Sequence, residues 1–219
     1  MGYNKNLTLT NLFDKSFYVY GGNWHCVSNH IRQYGYWDLD QIKLIQSFSD
    51  ENKIFIDVGS QIGSYSIPLS DNFNKVISFE PNIESYELLK KNIEVSKTNN
   101  VIVMNKAVSD TISSGNMTGE YGSNLSEGEG ETEIITLDSE ILKLGFSYGE
   151  IGFIKIDIEG HELKALNGSM ELITTANPII YLETHGDEVK HECLNLLFGL
   201  GYTIKQNYND IDFLLIKNT

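Results

Sequence analysis

The stretch Ile54-Phe-Ile-Asp-Val-Gly-Ser-Gln-Ile-Gly63 constrains this chain more than any other. Ile54, Phe55, Ile56 and Val58 form a short apolar run of the kind found in a parallel strand buried on both faces. Asp57 stands near the carboxyl end of that strand. Gly59 and Gly63 then turn the chain toward a helix expected to begin near Ser64. Glycine has no Cβ, so backbone N–H groups in such a turn can approach a ligand closely. Strand, glycine turn and helix in that order place a nucleotide-like site at the edge of an open α/β sheet. The spacing is Asp-x-Gly-x-x-x-Gly, which fits neither the dinucleotide fingerprint nor a P-loop.

The 219 residues suit one α/β domain, expected over 1–219, with 1–35 as a flap or lid and 36–219 as the core. A formal net charge of −14 offers phosphate backbones no electrostatic footprint, so a nucleic-acid substrate is not expected. The same charge disfavours an anionic membrane surface. No apolar run approaches the ~18 residues of a membrane span, and the N-terminus lacks an apolar signal core. Cys26 and Cys193 match no metal or redox spacing and read as partly buried thiols in a reducing compartment. A cytoplasmic location is expected from these features. Oligomeric state is not legible.

Taken in order, Phe17–Tyr20 before Gly21-Gly22 predicts a strand and turn. Trp24, His25, Tyr34, Tyr36 and Trp37 make the N-terminal region aromatic, either as packing against the sheet or as the wall of a ligand site. Ile42, Ile45 and Phe48 predict a helix over 40–48, and a short helix is expected over 64–70, with Pro68 in its first turn or at its end. Residues 75–79 form the next strand, ending at Glu80-Pro81-Asn82. Glu80 lies 17 residues past Gly63, close to the offset at which a carboxylate accepts from ribose hydroxyls. Asn82 should cap a helix presenting Ile83, Tyr86, Leu89 and Ile93 on one face.

Strands are expected at 101–104, 134–138, 152–157 and 179–182. Residues 105–110 should lie beside Glu80. Residues 111–131 read as a loop or irregular hairpin whose Glu120, Glu127, Glu129 and Glu131 are solvated. Helices are predicted around 139–144 and 163–166, Ser169 as the cap of a further turn, and a helix over 191–200 with Leu194, Leu197 and Phe198 inward. Tyr202–Tyr208 and Asp212–Ile216 form a closing antiparallel hairpin.

In a doubly wound sheet the strands at 54–58, 152–157 and 179–182 are neighbours. Their carboxyl ends bring Asp57, Asp157, Glu159, His161, Glu162, Glu183 and His185 toward one place. A hydroxyl attacking an electrophile must lose its proton, and a neighbouring His or carboxylate can take it. An acidic cavity also favours a positively charged ligand. The catalytic candidates are Asp157, Glu159, His161 and Glu183, with His185 beside them. The same atoms could hold a divalent metal that lowers the hydroxyl pKa, Glu183 in particular, although none is assigned.

Several segments together resemble the FkbM family of S-adenosylmethionine-dependent methyltransferases. They are Ile56–Gly63, Ser78-Phe-Glu-Pro-Asn82, Asn105-Lys-Ala-Val-Ser-Asp110, Thr136-Leu-Asp138, Ile154-Lys-Ile-Asp-Ile-Glu-Gly-His-Glu162 and Pro178–Glu183. The resemblance covers roughly 35–185. It implies a Rossmann-like class I fold: a seven-strand, mostly parallel sheet with helices on both faces and a C-terminal antiparallel hairpin. It also implies O-methylation, most often of a sugar hydroxyl in a glycan or glycosylated metabolite, with S-adenosylmethionine as cofactor. The cofactor residues it implies are Asp38, Asp57, Gly59, Ser60, Gly63, Glu80, Pro81, Asn82, Asn105, Ala107, Ser123 and Asp157. Asp38 is shorter than the family's usual Glu, and Gln61 stands where Asn is common. Methylation of a non-sugar hydroxyl, a nicotinamide-dependent oxidoreductase and a catalytically silent binding module are the alternatives. Nucleobase methylation lacks its Asn/Asp-Pro-Pro-aromatic motif.

Overall fold

A computed structural model describes residues 6–118 and 124–217 of the chain. Ser123 and Glu120, named above, lie outside the described residues. The N-terminal part comprises β1 (Leu7–Leu12), β2 (Lys15–Tyr20), α1 (Cys26–Tyr34) and α2 (Leu39–Ser47). The first half of the core follows as β3 (Ile54–Val58), α3 (Ser66–Leu69), β4 (Lys75–Phe79), α4 (Ile83–Ser96) and β5 (Val101–Met104). A small-sheet region contains β6 (Ala107–Val108), β7 (Ser113–Thr118), β8 (Asn124–Glu127) and β9 (Thr132–Ile135). The rest is α5 (Leu137–Lys143), β10 (Ile151–Ile156), α6 (Glu162–Asn167), α7 (Met170–Ala176), β11 (Ile179–Glu183), α8 (Asp187–Gly199), β12 (Tyr202–Tyr208) and β13 (Asp212–Lys217).

The main sheet has seven strands in the order β12-β13-β11-β10-β3-β4-β5. β11, β10, β3, β4 and β5 are parallel; β13 pairs antiparallel with β11, and β12 pairs antiparallel with β13 at the edge. β3 is buried at each of its positions, as expected of its apolar run. One face packs Ile54, Ile56, Val58, Ile77, Ile154, Ile156 and Ile180 against α5–α8 through Ile141, Leu166, Ile173 and Leu197. The opposite face sets Phe55, Val76, Phe153 and Tyr181 against Ile42 and Ile45 of α2 and Leu69 of α3. On that second face Ser78, Asp57, Lys155 and Tyr181 stand in register across four strands. All four side chains are buried, which puts a polar row inside an otherwise apolar layer.

The β1–β2 hairpin and α1 were only partly legible: the sequence announced β2 and its turn but neither β1 nor α1. They pack on α4 through Leu12, Phe17, Val19 and Ile31 against Leu88 and Leu89. Asn92 of α4 joins them. Its Nδ2 donates to Tyr18 O and Ile62 O, each at 3.0 Å, and its Oδ1 accepts from Tyr18 N at 2.6 Å. The buried face of α4 overlaps the expected one at Leu89, and Ile93 packs beside it. Ser85, Leu88, Leu89 and Asn92 point inward, while Ile83 is 56% exposed.

Other differences are local. α3 starts at Ser66, because residues 61–65 are spent in turns after Gly59. α8 begins at Asp187 rather than 191; its inward residues are Cys193 and Leu197, and Phe198 is exposed. Ser169 occupies a cap position, but its hydroxyl donates back to Ala165 O at 2.6 Å. Cys26 is exposed and Cys193 buried. Residues within 111–131 do form a hairpin, β7–β8, which joins a second sheet in the order β6-β9-β7-β8. No helix among the described residues is long and apolar enough to cross a membrane.

Candidate active site at the carboxyl edge of the sheet

A cavity of about 300 Å³ opens where β3, β4, β10 and β11 end. Its position follows from the strand order, since loops leaving adjacent parallel strands toward opposite faces must diverge there. Its lining includes Gly59, Gln61, Glu80, Pro81 and Ala107, together with the ionisable Asp157, Glu159, His161 and Glu183. Cys26, Val27 and Trp37 from the N-terminal region complete the enclosure, with Met117 and Leu125 from β7 and β8. Of the aromatic residues named in the N-terminal segment, Trp37 lines the cavity, while Trp24 packs against the cluster that includes Leu88 and Leu89 of α4.

Gly59 adopts φ +87°, and a Cβ there would stand 1.9 Å from Asp157 O. Only glycine lets the ends of β3 and β10 come this close. Past the turn, Gln61 is left-handed at φ +48°, and its N–H donates to Glu80 Oε2 at 2.8 Å. Asn82 N donates to Glu80 Oε1, also at 2.8 Å. Both carboxylate oxygens are thus oriented by backbone, and each keeps a further lone pair. Burial pushes the Glu80 pKa up to about 7, against those two N–H bonds.

The ionisable part of the lining is a charge network. Burial opposes ionisation of Asp157, yet Lys155 at 3.0 Å, then His185, hold its carboxyl well below the usual range. His185 Nε2 lies 3.3 Å from Glu183 Oε1 and 3.6 Å from Asp157 Oδ1; its Nδ1 lies 3.5 Å from Glu159 Oε2. Asp157, then Glu183, push the His185 imidazole up to about 11 despite burial. His185 is therefore a standing cation at neutral pH, unable to accept a proton. His161 behaves oppositely: burial, then Lys164, lowers its pKa, which disfavours the imidazolium. Its Nε2 sits 2.9 Å from Ser109 Oγ.

Asp38 meets the cavity from the N-terminus of α2, in a left-handed conformation, with Tyr65 Oη donating to Oδ2 at 2.8 Å. Burial raises its pKa. The remaining sequence candidates shape the walls from behind and do not line the cavity. Asp57 is fully buried; Ser66 Oγ donates to its Oδ2, while Lys155 faces it in register. Ser60 Oγ donates to Asp57 O at 2.7 Å. Gly63 takes φ +95° against Leu89. Asn82 caps α4 through Oδ1 to Glu84 N and Ser85 N. Asn105 Nδ2 donates to Glu80 O and Pro81 O.

Three contributors escaped the sequence reading. Lys155 carried no signal beyond being a cation inside an apolar strand. Ser109 sat inside a recognised segment with no stated role. Glu127 is exposed, as expected, and in addition accepts from Lys164 Nζ at 2.6 Å and Ser109 Oγ at 3.2 Å.

The residues present fit an adenosyl cofactor. Glu80 offers paired acceptors for vicinal hydroxyls, Pro81, Ala107 and Val108 offer an apolar seat, and the other acids of the lining offer negative potential. A divalent metal fits less well. Asp157, Glu183 and His185 do bring ligand atoms within 4.8 Å of one another. Lys155 already supplies positive charge to Asp157, however.

The strand order and this cavity define the class I methyltransferase fold. The family model described as the Methyltransferase FkbM domain matches residues 57–214, and the chain belongs to that family. Hexuronic acid methyltransferase AglP of Haloferax volcanii is 28% identical over 81% of this chain and 76% of its own length. Among solved structures, the FkbM methyltransferase from Methylobacillus flagellatus superposes with TM-score 0.54 at 22% identity, covering 77% of this chain. This chain spans 44% of that protein. A Streptococcus mutans protein in complex with SAH superposes with TM-score 0.52 at 13% identity, covering 81% of this chain and 94% of its own.

Proposed function

We propose that this methyltransferase is S-adenosylmethionine-dependent and transfers a methyl group to a hydroxyl, most often of a sugar in a glycan or glycosylated metabolite. The observation that carries the reading is the presence, in one cavity, of a backbone-oriented acidic acceptor, Glu80, and of an imidazole whose burial lowers its pKa, His161. When bound, the cofactor supplies a methyl group on positively charged sulfur. The protein's own residues do the rest. Glu80 accepts from the ribose hydroxyls, and Ala107 with Pro81 packs the adenine. Asp38 and Asp157 provide negative potential at the far end.

His161 takes the acceptor's proton as the hydroxyl attacks. It is the member of the acidic wall whose ionisation suits that duty. Asp157 is too weak a base, and His185 is already protonated. Glu159, exposed and in a left-handed turn at φ +56°, together with Glu183 holds the acceptor's other hydroxyls. The sugar preference is supported by the hexuronic acid named for the Haloferax relative and by a cavity lined with hydrogen-bonding acids and an indole face.

The test is transfer of labelled methyl from S-adenosylmethionine to a panel of methyl glycosides and non-sugar alcohols. The expected product is a methyl ether, and His161→Gln lowers the rate ~10²–10⁴-fold, the span of general-base contributions. Methylation of nitrogen or carbon, or a full rate in His161→Gln, contradicts the proposal.

A further inference from the structure

Ser109 is fully buried between three polar neighbours from different parts of the chain. Its Oγ lies 2.9 Å from His161 Nε2, 3.2 Å from Asp110 Oδ1 and 3.2 Å from Glu127 Oε1. Ionised carboxylates only accept, and a hydroxyl has one proton to give. If Ser109 donated that proton to His161, its lone pairs would face two carboxylates. The favourable arrangement is the reverse: Ser109 donates to a carboxylate, and its oxygen accepts from His161 Nε2–H. Glu127 Oε1 lies 3.5 Å from the same Nε2, which favours a proton there. The imidazole is then fixed as the Nε2–H tautomer, with Nδ1 as its basic nitrogen.

We propose that Ser109 and Glu127 are positioning residues that set the tautomer of His161. The proposal rests on the reading of His161 as the base. The proton leaves the acceptor hydroxyl for Nδ1. The ring becomes an imidazolium whose Nε2–H stays on Ser109 Oγ, beside the Glu127 carboxylate. Once the methyl ether has left, Nδ1 loses its proton to water, which restores the Nε2–H tautomer. Lys164, three residues beyond His161, holds the Glu127 carboxyl below its usual range, so it stays ionised beside the imidazolium. The charged groups facing the imidazole are Glu127 on β8, Asp110 after β6 and Lys164 on α6. β8 thus contributes to the base from a segment outside the main sheet.

The experiment is histidine-selective ¹⁵N NMR of the full chain, with His161 assigned by the loss of its signals in His161→Gln. The wild type is expected to carry its proton on Nε2 near neutral pH, and Ser109→Ala is expected to show mixed tautomers. In Glu127→Gln the imidazole should titrate at a lower pH than in wild type, because the carboxylate favouring imidazolium is gone. The acid limb of the methyl-transfer pH profile should move with it. The tautomer in Glu127→Gln is read as well: a merely structural Glu127 would leave the proton wholly on Nε2, whereas a positioning one leaves mixed tautomers. Glu127 is partly exposed, so its variant tests the proposal even if Ser109→Ala fails to fold. A wild-type proton on Nδ1, or in Glu127→Gln an unmoved midpoint or a proton wholly on Nε2, overturns the proposal. Failure of wild type to bind S-adenosylhomocysteine would instead remove the base assignment and leave the tautomer result standing.

Discussion

Lys155 Nζ lies 3.0 Å from Asp157 Oδ2, and the two residues sit two apart at the end of β10, where the sheet interior meets the cavity. That spacing puts both side chains on one face. Lys155 also stands 4.6 Å over the Tyr65 ring and opposite Asp57 in the β3 register. Asp157, Asp57 and Glu183 keep it protonated against the pull of burial. One lysine therefore answers the acids of both the buried row and the cavity wall.

Lys155→Met should destabilise the fold by about 3–5 kcal/mol, since it leaves carboxylates buried without their counter-charge. Urea denaturation at neutral pH measures this. Adding Asp157→Asn should recover part of the loss; a single-variant loss under ~1 kcal/mol would show the lysine to be incidental.

His185 gives a pH signature. Its folded pKa of about 11 lies above the ordinary 6.5, so its stabilisation is complete below about pH 6.5 and is lost as pH rises through 11. The melting-temperature gap between wild type and His185→Gln should be widest near pH 6 and shrink steadily toward pH 10. A gap that grows with pH would contradict the imidazolium assignment.

Gly59→Ala forces a Cβ to within 1.9 Å of Asp157 O at φ +87°. Backbone strain and overpacking together should cost about 3–5 kcal/mol. Gly145→Ala is the control: φ is also positive at +87°, yet nothing lies within 4 Å of the added carbon. Its loss should be about 1–2 kcal/mol, from backbone conformation alone. Equal losses in the two variants would show that strand contact is not what requires glycine at 59.

Asn92→Ala removes partners from Tyr18 and Ile62. The expected loss is about 2–4 kcal/mol, with earlier hydrogen exchange in β2 than in the main sheet. Uniform exchange across both would show that Asn92 does not pin the N-terminal hairpin.

Local patterns in the sequence carry the main sheet well. The runs at 54–58, 75–79 and 179–183 are apolar at nearly every position, so burial on both faces was readable without tertiary knowledge. The closing hairpin and the Gly59 turn were legible for the same reason. What escaped depends on partners distant in sequence. Asn92 turns inward on α4, where it bonds to Tyr18, 74 residues away. Glu127 looked like one of several surface acids until Ser109 and Lys164, 18 and 37 residues away, appeared beside it. The site acids were nameable, but their ionisation was not. His161 and His185 each follow a glutamate by two residues, Glu159 and Glu183, and opposite pKa shifts follow only from who surrounds each ring.

The central claim is that this cavity holds S-adenosylmethionine with Glu80 on the ribose. Calorimetric titration of wild type and Glu80→Ala with S-adenosylmethionine and S-adenosylhomocysteine tests it most directly. Loss of ~1.4–3 kcal/mol of hydrogen bonding predicts ~10–100-fold weaker binding in the variant. Wild-type binding should also weaken as pH falls below about 7, where Glu80 becomes protonated and loses an acceptor. Micromolar wild-type affinity with that loss and that pH trend is the predicted result. Binding of neither molecule, or affinity unchanged in Glu80→Ala, would contradict the account.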